Sequence, residues 1–406
     1  MMRNMPMAKR NCFRLLINGE QFFPRVSQII NEAQEEVFLE TFILFDDKVG
    51  RALRETLINA ARRGVSIDVT VDGYGSDGLS KEFIQGLTQA GVRFHIFDPQ
   101  PRLFGIRANI FRRMHRKIVS ADGKVAVLGG INFSAQHLLD YGPEAKQDYA
   151  VEVLGPLAQE VHQFAKDALI EPGKAGRRRW TRVVRAAPIP EFGSNGRLVI
   201  RDNDWHPNDI EQAYKAGIQS AQKDIIIANG YFFPGYRLLR DIAQAARRGV
   251  QIRLIVQGEP DMQIARKAPR WLYHYLDDAG VKLYEYCRRP LHGKVACIDD
   301  AWSTIGSSNL DPFSLALNLE ANIFAHDEAL TTDLRAALER LLENDCEPVL
   351  VDRRKQGGLR RLWVAVVVFH FLRRFPAWSG MLPAHKPRLT SMVASTDVDH
   401  KKHDTP

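Results

Sequence analysis

The sequence predicts an α/β protein made of two pseudo-symmetric halves, each an α/β/α sandwich, sharing one active site. Three observations carry this. Short segments of the halves answer one another: AARRGV at 60–65 recurs letter for letter at 245–250, AQEEV at 33–37 answers AQKDI at 221–225, and AGV at 90–92 recurs at 279–281. The offsets are 185, 188 and 189 residues, a period that means duplicated domains rather than a solenoid. Strand-like apolar runs alternate with helix-like amphipathic runs, the pattern of layered α/β folds. Finally, His115, Lys117, Asp122, Gly129 and Asn132 match His292, Lys294, Asp299, Gly306 and Asn309 at identical spacing.

In chain order, the first half reads as VFLETFILF (strand), VGRALRETLINAARR (helix), VSIDVTV (strand), LSKEFIQGLTQA (helix) and VRFHIF (strand). HRKIVS and KVAVLG follow as two strands across an ADG turn, and DYAVEV closes the sheet. The second half repeats the plan: DIIIAN, YRLLRDIAQAARR, VQIRLIV, IARKAPRWLYHYLDDA, VKLYEY, HGKVACI, STIG and EANIFAH. The expected organisation is a first half over 12–170, a Pro-, Gly- and Arg-rich linker over 171–196, and a second half over 197–350. A membrane-interface segment over 357–386 and a disordered tail over 387–406 would follow.

A net charge of +8 favours an anionic partner: nucleic acid, an anionic membrane surface or a phosphate substrate. Cys12, Cys287, Cys297 and Cys346 are scattered, which reads as free thiols in a reducing compartment. The first residues lack the apolar region of a secretory signal, and no apolar run reaches ~18 residues.

On a strand, residues i and i+2 face one side, so His115 and Lys117 would point together, as would His292 and Lys294. Metal binding is disfavoured, because a lysine beside each histidine repels a cation. The set suits an anion instead. Lys117, Lys294, Asn132 and Asn309 would supply charge and amide donors to a phosphoryl group, and the glycines before each Asn would let backbone approach. Two histidines would divide the labour, one attacking phosphorus and the other protonating the leaving alcohol. Each then needs a group to fix its tautomer. Asp148, 33 residues after His115, and Glu320, 28 residues after His292, occupy matching places downstream. Asp122 and Asp299 lie in turns and read as structural. Gly130 stands where the second copy has Ser307, so the first site would lack one hydroxyl donor.

These residues resemble the paired HKD motifs of the phospholipase D superfamily, in HRK…D…GGIN and HGK…D…GSSN. The likeness spans nearly the whole chain. It is closest to the bacterial cardiolipin synthases of the B type, in FRRMHRK, YGPEAKQDYAV, NGYFFPGYR, QGEPDM, RRPLHGKV, GSSNLDPFSL, LNLEAN and FHFLRRFPA. The resemblance implies a fold of phospholipase D type and counts Asp122 and Asp299 with the catalytic set. It implies transfer of a phosphatidyl group between phospholipids, two phosphatidylglycerols giving cardiolipin and glycerol. It implies no metal or cofactor, and a peripheral enzyme on the cytoplasmic face of the bacterial inner membrane. Phosphatidylethanolamine could also enter as substrate. His115 is taken as nucleophile and His292 as acid and base, although the pseudo-symmetry leaves the reverse open. The rival readings are a hydrolytic phospholipase D and an HKD nuclease.

Two further stretches bear on substrate. The first half carries about a dozen extra residues before its motif: His115 follows Gly91 by 24 residues, whereas His292 follows Gly280 by 12. The insert mixes Leu103, Phe104, Ile106, Ile110 and Phe111 with Arg102, Arg107, Arg112 and Arg113. It reads as a cationic, apolar-tipped loop touching lipid, or as a surface loop. An apolar stretch over 362–372, flanked by Arg360, Arg361, Arg373 and Arg374, suits the membrane interface. These apolar residues argue against nucleic acid as partner.

Overall fold

A computed structural model describes residues 10–99, 102–103, 106–107, 113–169, 195–258, 269–350 and 389–392. The first half runs β1 (Cys12–Ile17), α1 (Asn18–Glu32), β2 (Glu36–Thr41), α2 (Lys48–Arg62), β3 (Ser66–Asp72), α3 (Lys81–Gln89) and β4 (Arg93–Phe97). A hairpin of β5 (Arg102–Leu103) and β6 (Ile106–Arg107) precedes β7 (Ile118–Ala121), β8 (Val125–Gly129), β9 (Tyr149–Leu154) and α4 (Pro156–Asp167). The second half runs β10 (Gly196–Arg201), α5 (Asp209–Ser220), β11 (Asp224–Asn229), α6 (Tyr236–Arg247), β12 (Gln251–Gln257), α7 (Pro269–Asp278) and β13 (Lys282–Tyr286). It continues through β14 (Lys294–Ile298), β15 (Trp302–Gly306), α8 (Pro312–Ala316), β16 (Glu320–His326), α9 (Glu328–Asn344) and β17 (Cys346–Pro348), and β18 (Leu389–Met392) comes last.

The repeated letters mark the places where helices stop. In α2, the N–H of Gly64 bonds to the carbonyl of Ala61 and that of Val65 to Ala60; Gly249 and Val250 bond to Ala246 and Ala245 in the same way at the end of α6. This double bond pattern satisfies the last free carbonyls of a helix and needs a residue at positive φ. Gly64 and Gly249 have φ of 94° and 98°, and Gly91 and Gly280 repeat the device at 95° and 94° after the next helix. The valine after each glycine is buried and starts the next strand's packing.

The two sheets have matching order. The first is β1-β9-β8-β7-β2-β3-β4-β18 and the second β10-β16-β15-β14-β11-β12-β13-β17. In each, three parallel strands (β2, β3, β4; β11, β12, β13) adjoin an antiparallel meander that carries the motif. One edge departs from expectation. Leu389–Met392, in the stretch expected to be disordered, pairs antiparallel with β4 at the place β17 takes beside β13. The interface segment at 357–386 and most of the tail lie outside the described residues, as do nearly all of the linker and the side chains of the insert before Arg113.

Helices α1, α2 and α3 cover the outer face of the first sheet, and α5, α6 and α7 the outer face of the second. The inner faces share one core. Leu128, Val151, Val153, Leu157 and Val161 from the first half meet Val295, Ile305, Ile323, Leu334 and Leu338 from the second. The inner helix layer is therefore thin, α4 on one side and α9 on the other, and β9 lies directly against β15 between them. That shared core fixes the ends of the two meanders against each other. Gly64→Ala and Gly249→Ala place a Cβ in open space but at positive φ, so equilibrium denaturation of each variant should show about 1 kcal/mol of destabilisation, equal in the two halves.

Candidate active site

The sequence expectation of motif strands is corrected at their starts. His115 and Lys117 precede β7, and His292 precedes β14, whose first residue is Lys294. Irregular backbone here frees the peptide groups to bond across the halves. His115 N donates to Leu319 O at 2.9 Å, and Leu319 N returns a bond to Arg113 O at 2.7 Å. In the mirror arrangement, His292 N donates to Gln147 O at 2.8 Å and Gln147 N to Pro290 O at 2.9 Å. Leu319 and Gln147 are the residues before Glu320 and Asp148, so each carboxylate is delivered to the other half's histidine.

The carboxylate downstream of each histidine therefore serves the histidine of the other half. His115 Nδ1 lies 3.1 Å from Glu320 Oε2, and His292 Nδ1 lies 2.5 Å from Asp148 Oδ2. Both carboxylates are fully buried. Only the packing of the two sheets brings them there, since the partners are 205 and 144 residues apart.

The lysines are buried too. Lys117 Nζ donates to His115 O at 2.7 Å, and Lys294 Nζ to His292 O. Burial, against the pull of Glu320 on one and Asp148 on the other, lowers Lys117 to about 7 and Lys294 to about 8. Burial and the lysines also hold His292 well below its ordinary value. Burial lowers His115, against the pull of Glu320. Phe42 walls the site, its ring centroid 5.0 Å from that of His115 and 5.3 Å from Lys117 Nζ.

The carboxylates differ. Burial alone would raise Glu320, but His115, Lys117 and the Ser307 hydroxyl outweigh it and carry Glu320 below its ordinary range. Asp148 has its backbone donor at Tyr149 N, 2.8 Å away, and burial raises it. Ser307 Oγ donates to Glu320 Oε2 at 2.5 Å and is itself completely buried, so the expected role as a phosphate donor is corrected: its hydroxyl is spent on the carboxylate. At the matching position, a Cβ on Gly130 would lie 2.3 Å from Asp148 Oδ1. The first copy has glycine because Asp148 fills the space.

Asp122 and Asp299 are placed as the turn reading expected, and apart from the chemistry. Asp122 accepts the N–H groups of Gln34, Glu35 and Glu36 at 2.9–3.0 Å, and Asp299 those of Gln222, Lys223 and Asp224 at 2.8–3.1 Å. Each staples the motif hairpin to the entry of the central parallel strand. Gly129 and Gly306 face the neighbouring strand rather than a ligand: a Cβ would lie 2.5 Å from Ala150 Cα in one and 2.2 Å from Asn322 Cγ in the other. Asn132 accepts from Ile43 N at 3.1 Å, and Asn309 Oδ1 is buried without a partner.

Three contributors escaped the sequence reading. Asp72 Oδ2 accepts Met114 N at 2.9 Å and sets the backbone before His115. Lys146 acts electrostatically on His292. His137 lies 3.7 Å from Asp148. Gln257 accepts Leu291 N in the second half as Asp72 accepts Met114 N in the first, but with a different residue type, and the positions matching Lys146 and His137 hold Asn318 and Ser314, so the letters of the two halves do not reveal any of the three. His137, Asp148 and His292 hold their ligand-type atoms within 4.8 Å of one another. The neighbouring lysines Lys146 and Lys294 oppose a cation there.

Family and structural comparisons place the chain among known proteins. Residues 26–168 and 214–342 match the family model described as cardiolipin synthase, PLD-like domain. The chain belongs to this family. It is 52% identical to cardiolipin synthase B of Shigella flexneri, over 94% of this chain and 92% of that one. It is 51% identical to cardiolipin synthase B of Escherichia coli K12 over the same shares. Cardiolipin synthase 2 of Bacillus anthracis is 33% identical over 86% of this chain and 68% of its own. The crystal structure of phosphatidylserine synthase from Haemophilus influenzae has the same fold, with a TM-score of 0.64 at 13% identity, covering 91% of this chain and 95% of that one.

The packing of Gly130 against Asp148 predicts a directional asymmetry. Gly130→Ser should lower turnover by about 100-fold by displacing the carboxylate, and Ser307→Ala by about tenfold by loosening Glu320; steady-state rates of the folded variants check both.

Proposed function

We propose that this member of the cardiolipin synthase family transfers a phosphatidyl group from one phosphatidylglycerol to the hydroxyl of another, releasing glycerol. The observation that carries the reading is the pair of imidazoles, each oriented by a buried carboxylate from the opposite half, beside two buried lysines. Lys117 and Lys294 neutralise the non-bridging oxygens, with the amide groups of Asn132 and Asn309 as further donors.

Ionised Glu320 fixes the proton of His115 on Nδ1 and leaves Nε2 with a lone pair, which supports His115 as nucleophile. Nε2 attacks phosphorus, the bond from phosphorus to the glycerol oxygen breaks, and His292 gives that oxygen a proton. The second phosphatidylglycerol hydroxyl then attacks the phosphohistidine, returns a proton to His292, and frees His115. Asp148, raised toward protonation, shares a proton with His292 and suits it to giving and taking one.

Water at the phosphohistidine would give hydrolysis instead, so a lipid-covered mouth favours transfer. The segment at 357–386 and the cationic insert are proposed to lie at an anionic membrane surface on the cytoplasmic face. Among the described residues no helix is long and apolar enough to cross a membrane.

His115→Ala and His292→Ala should each lower cardiolipin formation by at least about 1,000-fold, read by mass spectrometry of lipid products from defined phosphatidylglycerol; normal product from either variant would sink the mechanism. Because the ammonium form is the one present below its pKa, kcat/KM should fall as pH rises through about 7 to 8, the range of the two lysines. Bound phosphate holds the lysines charged, so kcat should vary less over that range.

A further inference from the structure

The carboxylate of the first half has a neighbour that the second half lacks. His137 ends a short 3-10 turn (Ala135–His137) five residues after Asn132 and is 1% exposed. Its Nε2 lies 3.3 Å from the backbone nitrogen of Asn132 and accepts that N–H. A ring nitrogen that accepts carries no proton, so neutral His137 holds its proton on Nδ1. This Nδ1 is buried without a hydrogen-bond partner. It lies 3.7 Å from Asp148 Oδ2, the same oxygen that His292 Nδ1 approaches at 2.5 Å. The rings of His137 and His292 meet edge to face, with centroids 5.6 Å apart.

The other half solves the same problem differently. Ser314 stands at the position matching His137, and its hydroxyl bonds to Asp311 at 2.9 Å. Glu320 receives its extra donor from Ser307. Gly130 can give Asp148 no such donor, and Asp148 itself occupies the space a side chain there would need. His137 is the polar group that reaches Asp148 in place of a hydroxyl.

We propose that His137 is a positioning residue whose Nδ1–H polarises Asp148 and keeps the proton shared between Asp148 and His292 on the imidazole side. The proposal rests on the acid–base role given to His292 above. At 3.7 Å the contact is longer than a formed hydrogen bond. Its effect is that of a fixed dipole in a dry site, and it strengthens if the contact closes when substrate binds. The charged and titratable groups facing His137 are Asp148, His292, Lys146 and Lys294. Burial, His292 and the two lysines keep His137 neutral against the pull of Asp148, so it donates without titrating in the working range.

Two substitutions separate this role from packing. His137→Gln puts an amide oxygen near the Nε2 position and keeps the bond to Asn132, but removes the donor toward Asp148. His137→Asn puts an amide nitrogen near the Nδ1 position and keeps that donor, but orphans the Asn132 N–H. The experiment measures kcat and KM against pH for both variants and for Asp148→Asn, with thermal melts of each. The expected result is that His137→Gln melts near the parent enzyme, loses about tenfold in kcat with KM little changed, and moves the alkaline limb of kcat to higher pH, because the Asp148 carboxylate has lost a stabilising donor. His137→Asn is expected to melt lower yet keep kcat and its pH profile within about twofold. A purely structural role gives the reverse ranking, and His137→Gln with the parent's kcat and profile overturns the proposal even if the Asn variant does not fold. If Asp148→Asn also leaves the profile unmoved, the underlying reading of His292 fails; if it moves the profile while His137→Gln does not, this inference alone fails.

Discussion

The crossed histidine–carboxylate pairs are the constraint on which the rest of the structure depends. Each imidazole is oriented by a side chain from the opposite half, so neither motif is complete within its own sheet. The tolerance is narrow: a tautomer-fixing bond at 2.5–3.1 Å is lost if the sheets slide by an ångström. The shared apolar core and the reciprocal backbone bonds at Leu319 and Gln147 hold that register. Burying two carboxylates and two lysines in one dry pocket is costly unless they face one another, and here the charges of each sign compensate the other.

Symmetry of architecture carries asymmetry of chemistry. Glu320 is one methylene longer than Asp148, receives the Ser307 hydroxyl and stays ionised. Asp148 is shorter, sits against Gly130, and is driven toward protonation by burial. The two histidines therefore meet different partners although their own motifs match letter for letter at the key positions. The proposed displacement through a covalent intermediate would require two groups with opposed protonation preferences. Duplication supplies the pair, and the residues outside the motif separate their properties.

Much of the candidate site was legible in the sequence, for a local reason. Lys117 and Lys294 follow their histidines by two residues and bond back to the histidine carbonyls, a contact within reach of any chain with that spacing. Asp122 and Asp299 sit in turns and staple nearby backbone, as turn aspartates do. Ser307 was legible as a polar group but not as a carboxylate's partner, because that contact crosses from β15 to β16. His137 left no trace in the comparison of halves because its counterpart is a serine.

What the sequence determined alone is what local chemistry dictates: two α/β halves, helices ended by Gly64, Gly91, Gly249 and Gly280 at positive φ, and two copies of a His–x–Lys motif with a carboxylate downstream of each. The tertiary structure decided which carboxylate serves which histidine, that Leu389–Met392 completes the edge of the first sheet, and that His137 stands beside Asp148. The division has a physical reason. Turns, caps and strand alternation depend on neighbours a few residues away, whereas the exchange of carboxylates depends on how two sheets pack over a common core, between residues up to 205 apart.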